Sequence, residues 1–120
     1  MTVRDSWKRP SHDLVIERLS EARELVRAGW VQGQSHAVID GQDCYCPNGA
    51  VSKVCGTVRL SPTEIIPGAW IRDAVSAALL AAVPSRFVTV PGYNDRDGRT
   101  QDEAVELFTT AIRFTSRSAA

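Results

Sequence analysis

Asp40-Gly41 sits between two short extended segments, Ser35-His36-Ala37-Val38-Ile39 and Gln42-Asp43-Cys44-Tyr45-Cys46, and no other feature narrows the fold as much. Both turn residues tolerate the positive φ of a type I′ turn, so the pair predicts a two-residue antiparallel hairpin. The turn also sets the register: Ile39 faces Gln42, Val38 faces Asp43, Ala37 faces Cys44 and His36 faces Tyr45. Side chains alternate along a strand, so Cys44 and Cys46 fall on the side of Ala37 and Ile39, and His36 falls with Tyr45 on the other.

Helical periodicity surrounds the hairpin. Leu14, Val15, Leu19, Ala22, Leu25 and Val26 form one apolar stripe between Ser11 and Ala28, with Pro10-Ser11 as a start signal and Gly29 expected as a left-handed terminating residue. Pro47 suits the first turn of a short helix through Cys55, closed by Gly56. Ser61 to Glu64 reads as a possible helix start interrupted by Pro67-Gly68. Trp70, Ile71, Ala74, Val75, Ala78, Leu79 and Ala82 predict a helix over 69–82 that Pro84 stops. Phe87 to Val90 reads either as an edge strand or as an extended connection, and Tyr93 to Arg99 reads as a loop. Thr100 and Glu103 form a capping box for a last helix from Gln101 to about Thr115, with Ala104, Val105, Leu107, Phe108, Ala111 and Ile112 on its apolar face. The expected architecture is α+β, with three main helices packed with a small antiparallel hairpin.

The chain has 120 residues, enough for one hydrophobic core, since domains usually need about 100 residues each. Residues 11–115 are read as that domain, 1–10 as a flexible, mildly basic arm and 116–120 as a frayed tail. Fourteen Lys and Arg balance fourteen Asp and Glu, which removes the bulk positive field of a nucleic-acid binder. Ala74 to Val83, the longest apolar run, falls far short of the roughly 20 residues that cross a bilayer. No secretory leader is recognisable, and the three cysteines make an odd count, so reduced thiols and a cytoplasmic location are expected.

Four constellations carry possible chemistry. Cys44, Cys46, Cys55 and His36 have a zinc-site composition, but the hairpin register separates His36 from Cys44 and Cys46, and no metal or other cofactor is expected. Cys46 precedes a helix start, where the dipole lowers a thiol pKa; it is either a nucleophile, with His12 or Asp95 as its base, or a small buried core residue. Asn94, Asp95, Arg96 and Arg99 beside a helix N-terminus either bind a phosphate or a partner, or build the turn through side-chain to backbone hydrogen bonds. Trp30 and Trp70 lie on apolar stripes and are expected in the core, whereas Trp7, among Arg4, Lys8 and Arg9, is a candidate partner anchor.

Gly29-Trp30, Cys46-Pro47-Asn48-Gly49-Ala50, and Tyr93-Asn94-Asp95 followed by Arg99-Thr100 occur in this order across Leu14 to Ile112. In this the chain resembles a small uncharacterised domain family of actinobacteria and their bacteriophages that carries no established activity. The resemblance implies a phage-encoded accessory protein acting inside an actinobacterial cell. The leading expectation is a non-enzymatic protein that binds a host or phage protein, with homo-oligomerisation also open and nucleic acid less favoured, through Trp7, Asn94, Asp95, Arg96 and Arg99. The alternative is a small enzyme or a nucleotide- or phosphate-binding protein that uses Cys46 and the Asn94–Arg99 loop.

Overall fold

The computed structural model of the chain describes residues 11–56 and 67–119. Among them lie five helices and one two-stranded antiparallel sheet, an α+β fold: α1 His12–Ala28, β1 His36–Ile39, β2 Gln42–Tyr45, α2 Pro47–Cys55, α3 Pro67–Ala82, α4 Val90–Asn94 and α5 Gln101–Ala119. Trp7 and the residues from Ser61 to Glu64 lie outside the described part.

Helix α1 is the central element, packed against α2, α3, α5 and strand β2. Ser11 caps it by accepting from the Leu14 N–H at 3.1 Å, which satisfies one of the otherwise unpaired donors of a first turn. Its stripe of Val15, Leu19, Ala22 and Val26 is buried and meets Ala50 and Val51 of α2, Val75 and Leu79 of α3, and Ala104, Phe108 and Ala111 of α5. Each large apolar side chain in this set contributes about 1.5–3 kcal/mol by leaving water. The alanines keep the axes close.

The α5 capping box forms as its spacing predicts. The Glu103 N–H donates to Thr100 Oγ1 at 3.1 Å, and the Thr100 N–H donates to Glu103 Oε1 at 3.0 Å. The bond from the Thr100 N–H, helped by the Thr100 hydroxyl and Arg99, pulls the Glu103 carboxyl below its ordinary range. At the other end α5 continues to Ala119, with Ser118 Oγ donating to Phe114 O at 3.1 Å. Residues 116–119 therefore extend the helix past the end that the apolar stripe implies. Gln101, in the first turn of α5, donates to the Val26 and Arg27 carbonyls at 2.9 and 3.0 Å and so closes the C-terminus of α1.

The hairpin adopts the register set by its turn, His36 opposite Tyr45 through Ile39 opposite Gln42, with Asp40 at φ 51° and Gly41 at φ 78°. Three local readings are corrected. Gly29 ends α1 in an extended conformation, φ −165°, that any residue adopts; the space around it is what excludes a side chain, since a Cβ there would lie 2.4 Å from Asp43 O. Phe87 to Val90 makes no strand: Thr89 instead accepts from the Gly92 N–H at 3.0 Å and caps α4, so Val90, Tyr93 and Asn94 are helical. Trp70 is half-buried and lines a groove of about 520 Å³ beside Ala74, Ala78 and Phe114, outside the central core.

Candidate functional site

The three motifs read from the sequence converge where the segment after α1 runs between β2 and the end of α4. Tyr45 N–H donates to Gly29 O at 3.0 Å, Val31 N–H donates to Tyr45 O at 3.3 Å, and Trp30 pairs with Tyr45 in a parallel bridge. This fastens residues 29–31 to the outer edge of the hairpin. On the other flank stands Asn94, with no exposed surface. Its Oδ1 accepts from Trp30 Nε1 at 2.7 Å, and its Nδ2 donates to Val31 O at 3.1 Å and to Asp95 Oδ1 at 3.0 Å. All the polar atoms of the amide are thus used, as a buried amide requires.

The loop after Asn94 is fixed to the same segment. Gly33 N–H donates to Asp95 Oδ1 at 2.9 Å, while Gln32 Nε2 donates to the carbonyls of Asn94 at 2.8 Å and Arg96 at 3.0 Å. Arg99 folds inward with its side chain 7% exposed. Its Nε donates to Tyr93 O at 2.8 Å, its Nη1 donates to Glu103 Oε2 at 3.0 Å, and its guanidinium carbon stands 3.6 Å from the Tyr93 ring centre. Asn94, Asp95 and Arg99 are therefore committed to internal bonds. Among the residues singled out in this loop, Asp95 and Arg96 stand at exposed positions, and of these two Asp95 is the one whose side chain is tied down by hydrogen bonds.

Cys46 closes the hairpin and opens α2. Its N–H donates to Ser35 O at 3.1 Å, and its Sγ accepts from the Gly49 N–H at 3.3 Å, so the thiol acts as the helix N-cap. Burial pushes its pKa above the ordinary thiol value, outweighing the lowering by the Gly49 and Asn48 amides, and the Asp95 carboxylate adds to the rise. A nucleophile needs the reverse. Neither histidine of the described residues corrects this: His36 bonds to Asp43 Oδ1 at 2.8 Å on the hairpin face opposite Cys44, and His12 begins α1, whose 17 residues make it about 25 Å long at about 1.5 Å per residue. Cys46 is expected to alkylate with iodoacetamide at neutral pH at least about tenfold more slowly than free cysteine, as followed by mass spectrometry of the intact chain; a rate above that of free cysteine would overturn the capping role. Cys55 is also raised by burial, against the opposing pull of Arg18 and Arg72. Both thiols titrate higher folded than unfolded, so their contribution to stability is full below the ordinary thiol range and is lost as pH rises through the folded values.

A second arrangement lies on the surface beside this hub, where Arg96 and Arg99 meet Arg86, Phe87 and Val88, three residues that the sequence does not single out for binding. Phe87 meets Tyr93 edge to face at 5.3 Å, and three guanidinium groups gather around the Phe87 ring: Arg86 at 5.1 Å, Arg99 at 5.5 Å and Arg96 at 5.7 Å from its centre. Val88 next to it is 86% exposed. Arg86 and Arg96 are ten positions apart and meet only because α4 turns the chain back on itself, which is why spacing alone does not reveal the cluster.

The chain is thus a small α+β domain in which one buried asparagine joins the segment after α1 to the loop after α4, while Cys46 fastens the adjoining hairpin to α2. Residues 10–114 match a family of unknown function (DUF6197), and the chain belongs to that family. No curated protein and no solved structure matches the chain. No helix among the described residues is long and apolar enough to cross a membrane.

Proposed function

We propose that the protein is a non-enzymatic accessory protein that binds an acidic protein partner through the surface formed by Arg86, Phe87, Val88 and Arg96. The observation that carries this reading is the gathering of three guanidinium groups on one aromatic ring beside the most exposed large apolar side chain among the described residues. Cations that stack on a ring keep their charge while losing little side-chain freedom on binding, and an exposed apolar residue among them supplies the desolvated centre of a contact. Asn94, Asp95 and Arg99 act in this reading by holding the surface in shape, and Arg96 touches the partner. A protein is favoured over nucleic acid because the chain as a whole carries no net charge. The setting, in line with the family resemblance, is the cytoplasm of an actinobacterial cell, with the gene carried by a phage.

The test is cross-linking capture from an actinobacterial lysate by the wild type and by an Arg86→Glu/Arg96→Glu variant. A discrete acidic protein captured by the wild type is expected, reduced roughly tenfold or more in the variant and weakened by added salt, at unchanged melting temperature. Equal capture by both proteins would refute the surface. Capture of the chain's own copies, lost in the variant, would turn the reading to homo-oligomerisation through the same patch.

A further inference from the structure

A groove of about 540 Å³ runs between α2, α3 and the start of α4, lined by none of Arg86, Phe87, Val88 and Arg96, although Thr89 at its end follows Val88 directly in the chain. Arg72, Ser76 and Leu80 line it from α3 at intervals of four, Asn48 and Ser52 line it from α2 at the same interval, and Thr89 closes one end. This spacing puts each set on one helix face, so the two helices present their polar groups toward one another. Asn48, Ser52, Arg72 and Ser76 are half-buried, and none of these four side chains has a hydrogen-bond or ion-pair partner among the described residues. Thr89 Oγ1 already accepts from the Gly92 N–H at 3.0 Å, which leaves its own O–H to donate. No carboxylate lines the groove among the described residues. Among the described residues, Arg72 is thus a half-buried guanidinium without a counter-ion, and with three hydroxyls and an amide lining the same groove it offers N–H and O–H donors from three elements.

We infer that this groove binds a small phosphomonoester, with the phosphate on Arg72, Ser52, Ser76 and Thr89 and an apolar substituent against Leu80. A phosphate accepts from several sides at once, which suits converging donors on three elements better than a planar carboxylate does. Leu80 is 46% exposed at the groove's lip, where an apolar substituent would cover it. The volume lies in the range of small-molecule sites, about 300–1,000 Å³.

The probes are phenyl phosphate, inorganic phosphate and benzoate, each titrated into the full chain with amide and arginine side-chain NMR shifts as the readout, against Arg72→Met and Arg72→Lys variants. Phenyl phosphate is expected to shift Arg72, Ser52 and Ser76 in a saturable way. Inorganic phosphate should shift the same residues at higher concentration, and benzoate should bind more weakly than phenyl phosphate. Arg72→Met should weaken phenyl phosphate by about tenfold or more, with Arg72→Lys between the two. A folded Arg72→Met protein that binds phenyl phosphate as the wild type does, tighter binding of benzoate, or shifts confined to the Arg86 and Arg96 patch would each overturn the assignment. Should Arg72→Met fail to fold, Ser76→Ala in the wild-type background reads the same site and should weaken phenyl phosphate by a few-fold.

Discussion

Replacing Asn94 with leucine is expected to destabilise the fold by about 3–5 kcal/mol, a loss that falls on groups the mutation does not remove. Leucine has the same branching and heavy-atom count with bulkier methyl ends, so the site stays filled, but the Trp30 indole N–H and the Val31 carbonyl lose their partners at 2.7 and 3.1 Å beside a side chain with no exposed surface. Each stranded group costs about 1–3 kcal/mol, and the sum is a large share of the about 5–15 kcal/mol that holds a domain together. Asn94→Asp gives the sharper result. The carboxylate still accepts from Trp30, but where Nδ2 donated it now faces the Val31 carbonyl and the Asp95 carboxylate, three acceptors without a proton among them. Burial and Asp95 raise the pKa of the new carboxyl in the folded state. Its deficit relative to wild type should therefore be smallest at acid pH, below the unfolded carboxyl range, and should grow as pH rises through the folded value. Urea denaturation of both variants over a pH series measures this; an Asn94→Leu protein within about 1 kcal/mol of wild type would show that the amide is not the joint between the motifs.

That joint explains which parts of the molecule were legible beforehand. The hairpin register, the Ser11 cap and the Thr100–Glu103 box each depend on residues within a few positions of one another, so spacing was enough to read them. The bond from Trp30 to Asn94 spans 64 positions, and with it go the burial of Arg99 and the placing of Phe87 among three arginines. No local pattern encodes that pairing. Asn94, Asp95 and Arg99 have the composition of a ligand loop because a tight, internally bonded turn draws on the same side chains. The short helix α4 left a readable trace, Thr89 followed by Pro91 in the first turn, but its β-branched residues Val88, Thr89 and Val90 pointed equally well to a strand. Gly29 and Gly49 show the same limit: each is needed for a close approach by a segment remote in the chain.

Gly49→Ala should be the second large effect, and its sign is decided by two opposed terms. Alanine in a helix is favoured over glycine by about 1 kcal/mol, so a substitution within α2 would ordinarily stabilise. Here the added Cβ would stand 1.9 Å from Ser35 O, 2.7 Å from Ser35 C and 3.2 Å from Ser35 Cα, all main-chain atoms with no rotamer to relieve the overlap. Ser35 O is also the acceptor of the Cys46 N–H at 3.1 Å, the bond that brings the hairpin onto the start of α2. Moving Ser35 away breaks that bond, so a net loss of about 2–4 kcal/mol is expected despite the better helix former. Lys53→Ala, on the exposed face of the same helix, should stay within about 0.5 kcal/mol and separates a clash from a general change in α2. The displacement also has a route to the surface: Ser35 is two residues from Gly33, whose N–H holds Asp95, and Gln32 holds the Arg96 carbonyl. NMR shifts of Asp95 to Arg99 should therefore move in Gly49→Ala though none of these residues touches position 49, and capture through Arg86 and Arg96 should weaken with them. Unchanged loop shifts in a destabilised Gly49→Ala protein would show that the hairpin and the arginine surface are held independently.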